Sequence, residues 1–378
     1  MLRQSQNFWI PWVTTIVPAG FSDAVAQAGY KVTDLGTEGN DNLACAMALN
    51  NEGWTEIMAG SVEPRQLDFV PATLLNGRAV LGIDGFKIDL GTRGGKNSWM
   101  MWGDINDFGQ VVGFSETDVP GPDGEDICLF GTHLTCRPFL WQFFHMSALP
   151  TLGGNNGQAS AINDRGQIVG FAENGEVDST CPSGTTNNRI ALPVLWENGT
   201  AFPLPDLGHG ATAYGINNQG QIVGSVGSTD GSTAYGALWQ NGALTNLKTL
   251  LGDSGAIATG INSKGQVVGS TWDSNFDWSH AFIYQNGVMT DPTTLFPASS
   301  NLFATMANKI NENGQVSGLA TVRSGPHAGD IHAFLATPVN QSIGTSVADV
   351  ARTHPKSNLP ANVRKQLLQR FRLGRAEQ

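Results

Sequence analysis

Three loops hold the side chains best suited to chemistry. The segment Trp272-Asp273-Ser274-Asn275-Phe276-Asp277-Trp278 sets three aromatic rings beside two carboxylates. Flat apolar faces next to hydrogen-bonding groups suit amphipathic ligands such as sugar rings, so Trp272, Asp273, Phe276, Asp277 and Trp278 form a candidate ligand site. Asp273 and Asp277 also have the residue types of a glycosidase acid and nucleophile, but that role is set by separation in space, which spacing in sequence does not supply. The competing reading packs Trp272 and Trp278 between neighbouring sheets. A second loop brings Asp118, Asp123, Glu125 and Asp126 together, hard oxygen donors of the kind calcium takes. Their spacing matches no defined calcium motif, and the alternative is a solvated acidic turn. Calcium is the one cofactor the sequence raises.

Cys128 and Cys136 lie eight residues apart within the long loop Asp118 to Arg137. A disulfide there would shorten a costly closure; the other reading is two thiols. The acidic loop Glu173 to Asp178 shows no recognisable site. Motifs for a nucleophile elbow, a zinc protease or a phosphate loop are absent from the sequence, and its many Gly-containing turns read as hairpins.

The elements that must carry these loops announce themselves by repetition. Ile105-Asn106-Asp107-Phe108-Gly109-Gln110-Val111-Val112-Gly113 recurs at Ile162 to Gly170, Ile216 to Gly224, Ile261 to Gly269 and Ile310 to Gly318. A degenerate copy begins at Leu49-Asn50. Between successive Asn positions the steps are 56, 57, 54, 45 and 49 residues, a period that belongs to repeat architectures. Within each copy Asn folds onto the backbone ahead of it and Gly supplies a left-handed residue, giving a tight hairpin. The Gln of every clear copy is expected to be structural, bonding backbone in its own or a neighbouring hairpin.

A second hairpin follows each first one. Leu195-Trp196-Glu197-Asn198-Gly199, Leu238-Trp239-Gln240-Asn241-Gly242 and Ile283-Tyr284-Gln285-Asn286-Gly287 run an apolar strand into Asn-Gly, a strong hairpin signal. One period is thus four short antiparallel strands, the blade of a β-propeller. The last period stops after Ile331-His332-Ala333-Phe334-Leu335, and a strand of the missing kind stands near the start as Tyr30 to Gly36. The expected fold is all-β: a six-bladed β-propeller over residues 30–337, closed by an N-terminal strand that removes an open edge.

The flanks read differently. Residues 1–29 form an arm or a possible signal segment, with an apolar stretch from Phe8 to Ala19 interrupted by Pro11, Pro18 and polar residues. Residues 338–378 read as a polar linker followed by a short basic amphipathic C-terminal helix, with Val363, Leu367, Leu368 and Phe371 on one face. Net charge is −11; the last 27 residues carry seven basic side chains against one acid, leaving 14 basic against 31 acidic elsewhere. An acidic body argues against a nucleic-acid partner, and the absence of a long apolar run argues against a membrane span.

The alternation of Asn-x-x-Gly-Gln-Val-Val-Gly with His-Ala-Phe, complete at His280-Ala281-Phe282 and His332-Ala333-Phe334, resembles the HAF-repeat family of predicted extracellular bacterial repeat proteins. That resemblance covers about residues 30 to 337 and implies a secreted or surface protein; it brings no catalytic residues. Arg137-Pro138-Phe139 and Tyr235-Gly236-Ala237 depart from the motif, so His280 and His332 are read as strand-end residues rather than a catalytic pair. Function is expected to be noncatalytic binding of a carbohydrate or a protein through the loop face of the propeller. A polysaccharide-acting hydrolase or lyase and a purely structural module are the alternatives.

Overall fold

The computed structural model describes residues 29–36, 43–49, 55–60, 77–83, 86–100, 104–122, 124–128, 130–177, 189–207, 210–228, 233–274 and 279–339. Every long element among them is a strand. β1 (Gly29–Gly36) precedes two hairpins, β2 (Leu43–Leu49) with β3 (Thr55–Gly60), and β4 (Val80–Ile83) with β5 (Phe86–Asp89). Four four-stranded antiparallel sheets follow. They are β6 (Gly94–Trp99), β7 (Val111–Pro120), β8 (Leu134–Gln142) and β9 (His145–Ala148); then β10 (Gly157–Ile162), β11 (Ile168–Val177), β12 (Arg189–Glu197) and β13 (Thr200–Pro203). Next come β14 (Ala211–Ile216), β15 (Ile222–Gly227), β16 (Ala234–Gln240) and β17 (Ala243–Asn246), and β18 (Gly255–Ile261), β19 (Val267–Trp272), β20 (Ser279–Gln285) and β21 (Val288–Thr290). β22 (Leu302–Ile310), β23 (Val316–Val322) and β24 (Ile331–Val339) take β1 as their fourth strand.

This is the six-bladed propeller the repeats predict. β1 pairs antiparallel with β24 from Gly29 opposite Val339 to Asp34 opposite Phe334, so the chain closes its own ring. The two early hairpins lie between that last blade and the β6–β9 blade. β2 meets β24 through one parallel pairing, Leu43 with Ile331, while Leu81 and Ile88 of the β4–β5 hairpin pack against Trp141 and Met146 of the following blade. The turn of the degenerate first repeat, the N-terminal arm and the basic C-terminal segment lie outside the described residues.

The repeated Asn explains why the blades form and why they stay together. Asn217 Oδ1 accepts from the backbone N–H groups of Gln219 and Gln221, both at 3.0 Å, which pins the turn, and Gly220 at its end takes φ +78°. The amide nitrogen then does two further things. It donates to Gln221 Oε1 at 2.7 Å within the hairpin and to the carbonyl of Asn262 in the next blade at 3.0 Å. Asn106 reaches Asn163, Asn163 reaches Asn217 and Asn262 reaches Asn311 in the same way, at 3.0 to 3.1 Å. A ladder of one side chain per blade thus runs through five blades, buried from water.

The Gln of the motif differs from expectation. Its side chain bonds side chains rather than backbone: Oε1 accepts from the turn Asn, while Nε2 donates to the residue at the same place on the third strand. Those acceptors are Gln142, Glu197 and Gln285, with Thr337 in the last blade. The reason is reach. A four-atom side chain leaving the second strand spans to the third, whereas the turn backbone is already taken by Asn.

The closing Gly of the motif has a separate cause. The first strand of each blade carries a register shift, between Ala159 and Ala161 or Ala258 and Gly260 for example, that turns one carbonyl toward the second strand. A Cβ at Gly269 would stand 1.9 Å from the Ile257 carbonyl oxygen, so no larger residue fits.

Packing lies between blades. Ala161 and Val169 of one blade meet Ala211, Ala213, Ile222 and Trp239 of the next. The buried indoles are satisfied across the same seams, Trp196 Nε1 donating to the Pro150 carbonyl and Trp239 Nε1 to that of Pro205, each at 2.7 Å.

Asn217→Asp keeps the shape and the turn acceptors but replaces a two-way donor by an oxygen facing the Asn262 carbonyl and Gln221 Oε1. We expect it to cost about 2–3 kcal/mol in urea unfolding, the scale of two lost hydrogen bonds with oxygens left facing one another. A loss below about 0.5 kcal/mol, the ordinary effect of a surface substitution, would show that the ladder does not couple the blades.

Candidate functional site

Antiparallel order places the turns between strands one and two, and those between strands three and four, on one face of the ring; the loops between strands two and three lie on the other. The turn face carries a groove where the β6–β9 blade meets the next. It is lined by Phe108, Gln110, Gln142, Phe143, Asp164 and Arg165, with a volume near 360 Å³. Phe108 is 74% exposed, Phe143 90% and Phe144 81%. Three large aromatic rings thus stand in water beside a carboxylate, a guanidinium and two amides.

The backbone beneath these rings is out of keeping with its sequence. In three other blades the turn between strands three and four is Asn-Gly, with φ of +50° and +77° at Asn198 and Gly199 and near-identical values at Asn241-Gly242 and Asn286-Gly287. Here the same turn is Phe143-Phe144, at φ +50° and +60°. A non-Gly residue in the left-handed region costs about 1–2 kcal/mol, and Phe lacks the short polar side chain that lets Asn tolerate it. An edge-to-face contact of Phe144 on Trp141, centroids 5.7 Å apart, returns part of that cost, about 0.5–1.5 kcal/mol. Strain held beneath an exposed, solvated pair of rings marks a place where something other than folding selects the residues.

Hydrogen bonds fix the polar side of the groove. Gln110 Nε2 donates to Gln142 Oε1 at 2.8 Å, and Arg165 Nη2 to Gln167 Oε1 at 2.6 Å. Asp164 accepts from the Asp107 backbone N–H at 2.9 Å and from Asn218 Nδ2 at 2.6 Å. Its charge beside Asp107 raises the Asp107 pKa above 3.8, with partial burial adding to the effect.

The residues singled out in sequence fall elsewhere. Trp272 and Asp273 are buried; Trp272 packs with Ala234, Ile257 and Tyr214, its ring against Gly255. Phe276, Asp277 and Trp278 lie outside the described residues, as does Asp123. The other three acids of that loop turn to different partners. Glu125 is buried and accepts from Asn156 Nδ2 at 2.8 Å, Asp126 Oδ2 accepts from the Gly131 N–H at 2.8 Å, and Asp118 lies exposed beside Gly94. Cys128 and Cys136 are bonded, with Cα atoms 5.5 Å apart, and they close a small core with Trp99, Phe114 and Phe130.

Two buried acids went unnoticed in sequence. Glu173 accepts from the N–H groups of Asn155 and Asn156 and from Asn156 Nδ2, at 2.9 to 3.0 Å. Glu116 accepts from Asn97 and from Thr132 Oγ1. The signal available was a Glu three residues after the motif Gly in two consecutive repeats. Near the end of the first strands, Lys309 bridges to Asp104 at 3.1 Å, two residues 205 apart in sequence.

No protein-family model and no curated protein sequence matches the chain. Solved structures do resemble it in architecture: a gluconolactonase from Xanthomonas campestris, 10% identical, with a TM-score of 0.44 over 84% of this chain and 93% of that one. An acylaminoacyl peptidase from Pyrococcus horikoshii is 13% identical, with a TM-score of 0.38 over 68% of this chain and 40% of that one.

The Asp107–Asp164 pair has a signed consequence. A carboxyl whose pKa is raised on folding binds more protons in the native state than in the unfolded chain across that interval, so stability falls as pH climbs through it. Asp107→Asn removes the repulsion. Thermal unfolding followed against pH should show the variant above the wild type once pH exceeds the carboxylate range, the two converging in acid; an equal offset at every pH would assign the effect to something other than charge.

Proposed function

We propose that the chain is a noncatalytic, HAF-like repeat propeller, secreted or displayed at the cell surface, that binds carbohydrate in the groove lined by Phe108 and Phe143, with the exposed Phe144 ring in the same turn. The observation that carries this reading is the Phe143-Phe144 turn: two exposed rings kept in a conformation that costs stability, where sister blades use Asn-Gly. Aromatic faces supply the stacking surface for a sugar ring, while Asp164, Arg165, Gln110 and Gln142 offer donors and acceptors for its hydroxyls. A volume near 360 Å³ falls at the lower end of ligand pockets and suits a ring or two of an extended chain. The Cys128–Cys136 bond supports an oxidising compartment. Relative to the sequence reading, the binding surface moves from the loop face to the turn face.

The test replaces the turn by that of the sister blades, Phe143→Asn with Phe144→Gly. Affinity electrophoresis against a panel of soluble polysaccharides should show retardation of the wild type by at least one and loss of it in the double variant. The same variant should be more stable to urea by about 1–2 kcal/mol, since left-handed strain is relieved and the sole sacrifice is the edge-to-face packing of Phe144 on Trp141. Retained retardation in the variant, or a wild type that no polysaccharide retards, would sink the carbohydrate reading.

A further inference from the structure

We propose that the chain holds a divalent transition-metal site of the zinc class where the ring closes, formed by His327, Asp330 and His332 of the last blade, with Asp34 of β1 orienting His332. One donor atom from each of His327, Asp330 and His332 lies within 4.8 Å of the others. His327 Nδ1 stands 3.0 Å from Asp330 Oδ2, and His332 Nδ1 stands 2.9 and 3.0 Å from the two Asp34 oxygens. Two imidazoles and a carboxylate are a donor set that zinc and its neighbours accept, at about 2.0–2.2 Å to each atom, with a carboxylate behind one imidazole to orient it.

The previous blade has the same His-Ala-Phe strand, and there His280 Nδ1 meets Asp253 at 2.9 Å, which Thr271 also contacts. His332 has its counterpart in Asp34, yet the last blade adds a second His and a second Asp, arriving from the turn between β23 and β24. The turn is shaped to present them: Asp330 N–H donates to the His327 carbonyl at 3.0 Å, Val322 N–H to that of Asp330 at 3.0 Å, and Gly329 N–H to that of Val322 at 2.9 Å. His327 has a side chain 70% exposed, so it has room for the rotation that draws the three donors onto one ion.

Placement gives the site its purpose. Asp34 and His332 are 298 residues apart, and the contact joins the strand that closes the propeller to the blade it completes. An ion bound by His332, which Asp34 in turn holds, would clip the ring shut, and any ligand bound only by the native state raises its stability by mass action.

The experiment uses the untagged full chain after chelation. Titration calorimetry with Zn²⁺ should give one equivalent per chain, Co²⁺ should develop the visible bands of a low-symmetry site, and the unfolding midpoint should rise with either ion. His327→Ala, at an exposed position, and Asp34→Asn, which preserves shape, should each weaken binding about tenfold or more and abolish the midpoint shift, with unchanged midpoints in chelator for His327→Ala. Absence of stoichiometric binding, or equal affinity in wild type and His327→Ala, would overturn the site; binding weakened by His327→Ala but not by Asp34→Asn would overturn the bridge to β1.

Discussion

The structure depends on a single amide placed once per blade. Asn106, Asn163, Asn217 and Asn262 each close their own turn with the oxygen and hold the next blade's turn with the nitrogen, so folding a blade and docking it are the same event. A buried amide nitrogen donating to two acceptors is worth a modest amount singly, but here the same pair of bonds is repeated from blade to blade. The ladder therefore sets the spacing between sheets, and the apolar seams of Ala against Trp, Ile and Val fill the space it defines. Side chains beside it repeat the pattern at the next position, where Asp107 leans on Asp164, Asp164 on Asn218 and Ser263 on Glu312.

Against that regularity, departures stand out as places where another demand prevailed. Phe143-Phe144 breaks the turn rule and leaves its rings in water. The β23–β24 turn breaks the loop pattern with His327 and Asp330. The disulfide-closed loop of the second blade builds a satellite core around Trp99, Phe114 and Phe130. Each is a local addition to one copy of a repeating unit, and none disturbs the amide ladder.

Much of this was legible in the sequence because the fold is written in repeats. Asn-x-x-Gly-Gln marked five first hairpins, Asn-Gly three of the second, and the lone strand at Tyr30 to Gly36 announced the closure. What escaped notice followed from position rather than type. Trp272 looks like a ligand platform until the register of β18 and β19 puts it over Gly255. Glu173 sits in a run that reads as an acidic loop without a site, yet it faces inward and gathers three N–H donors. Phe143-Phe144 carries no turn signature at all; its character comes from a backbone conformation imposed by the flanking strands, which pattern reading does not reach.

The way the circle shuts bears on how the molecule is made. Residues 29–36 leave the ribosome early but find their partner strand only after some three hundred more residues have been added, a wait on the order of 15 to 60 s at ordinary rates of synthesis. During that interval the early segment has no native neighbour, and a chain cut short anywhere before β24 never acquires one. Premature termination would therefore leave not a smaller propeller but an unfinished one with an exposed sheet margin, the kind of species that quality-control proteases and chaperones act upon.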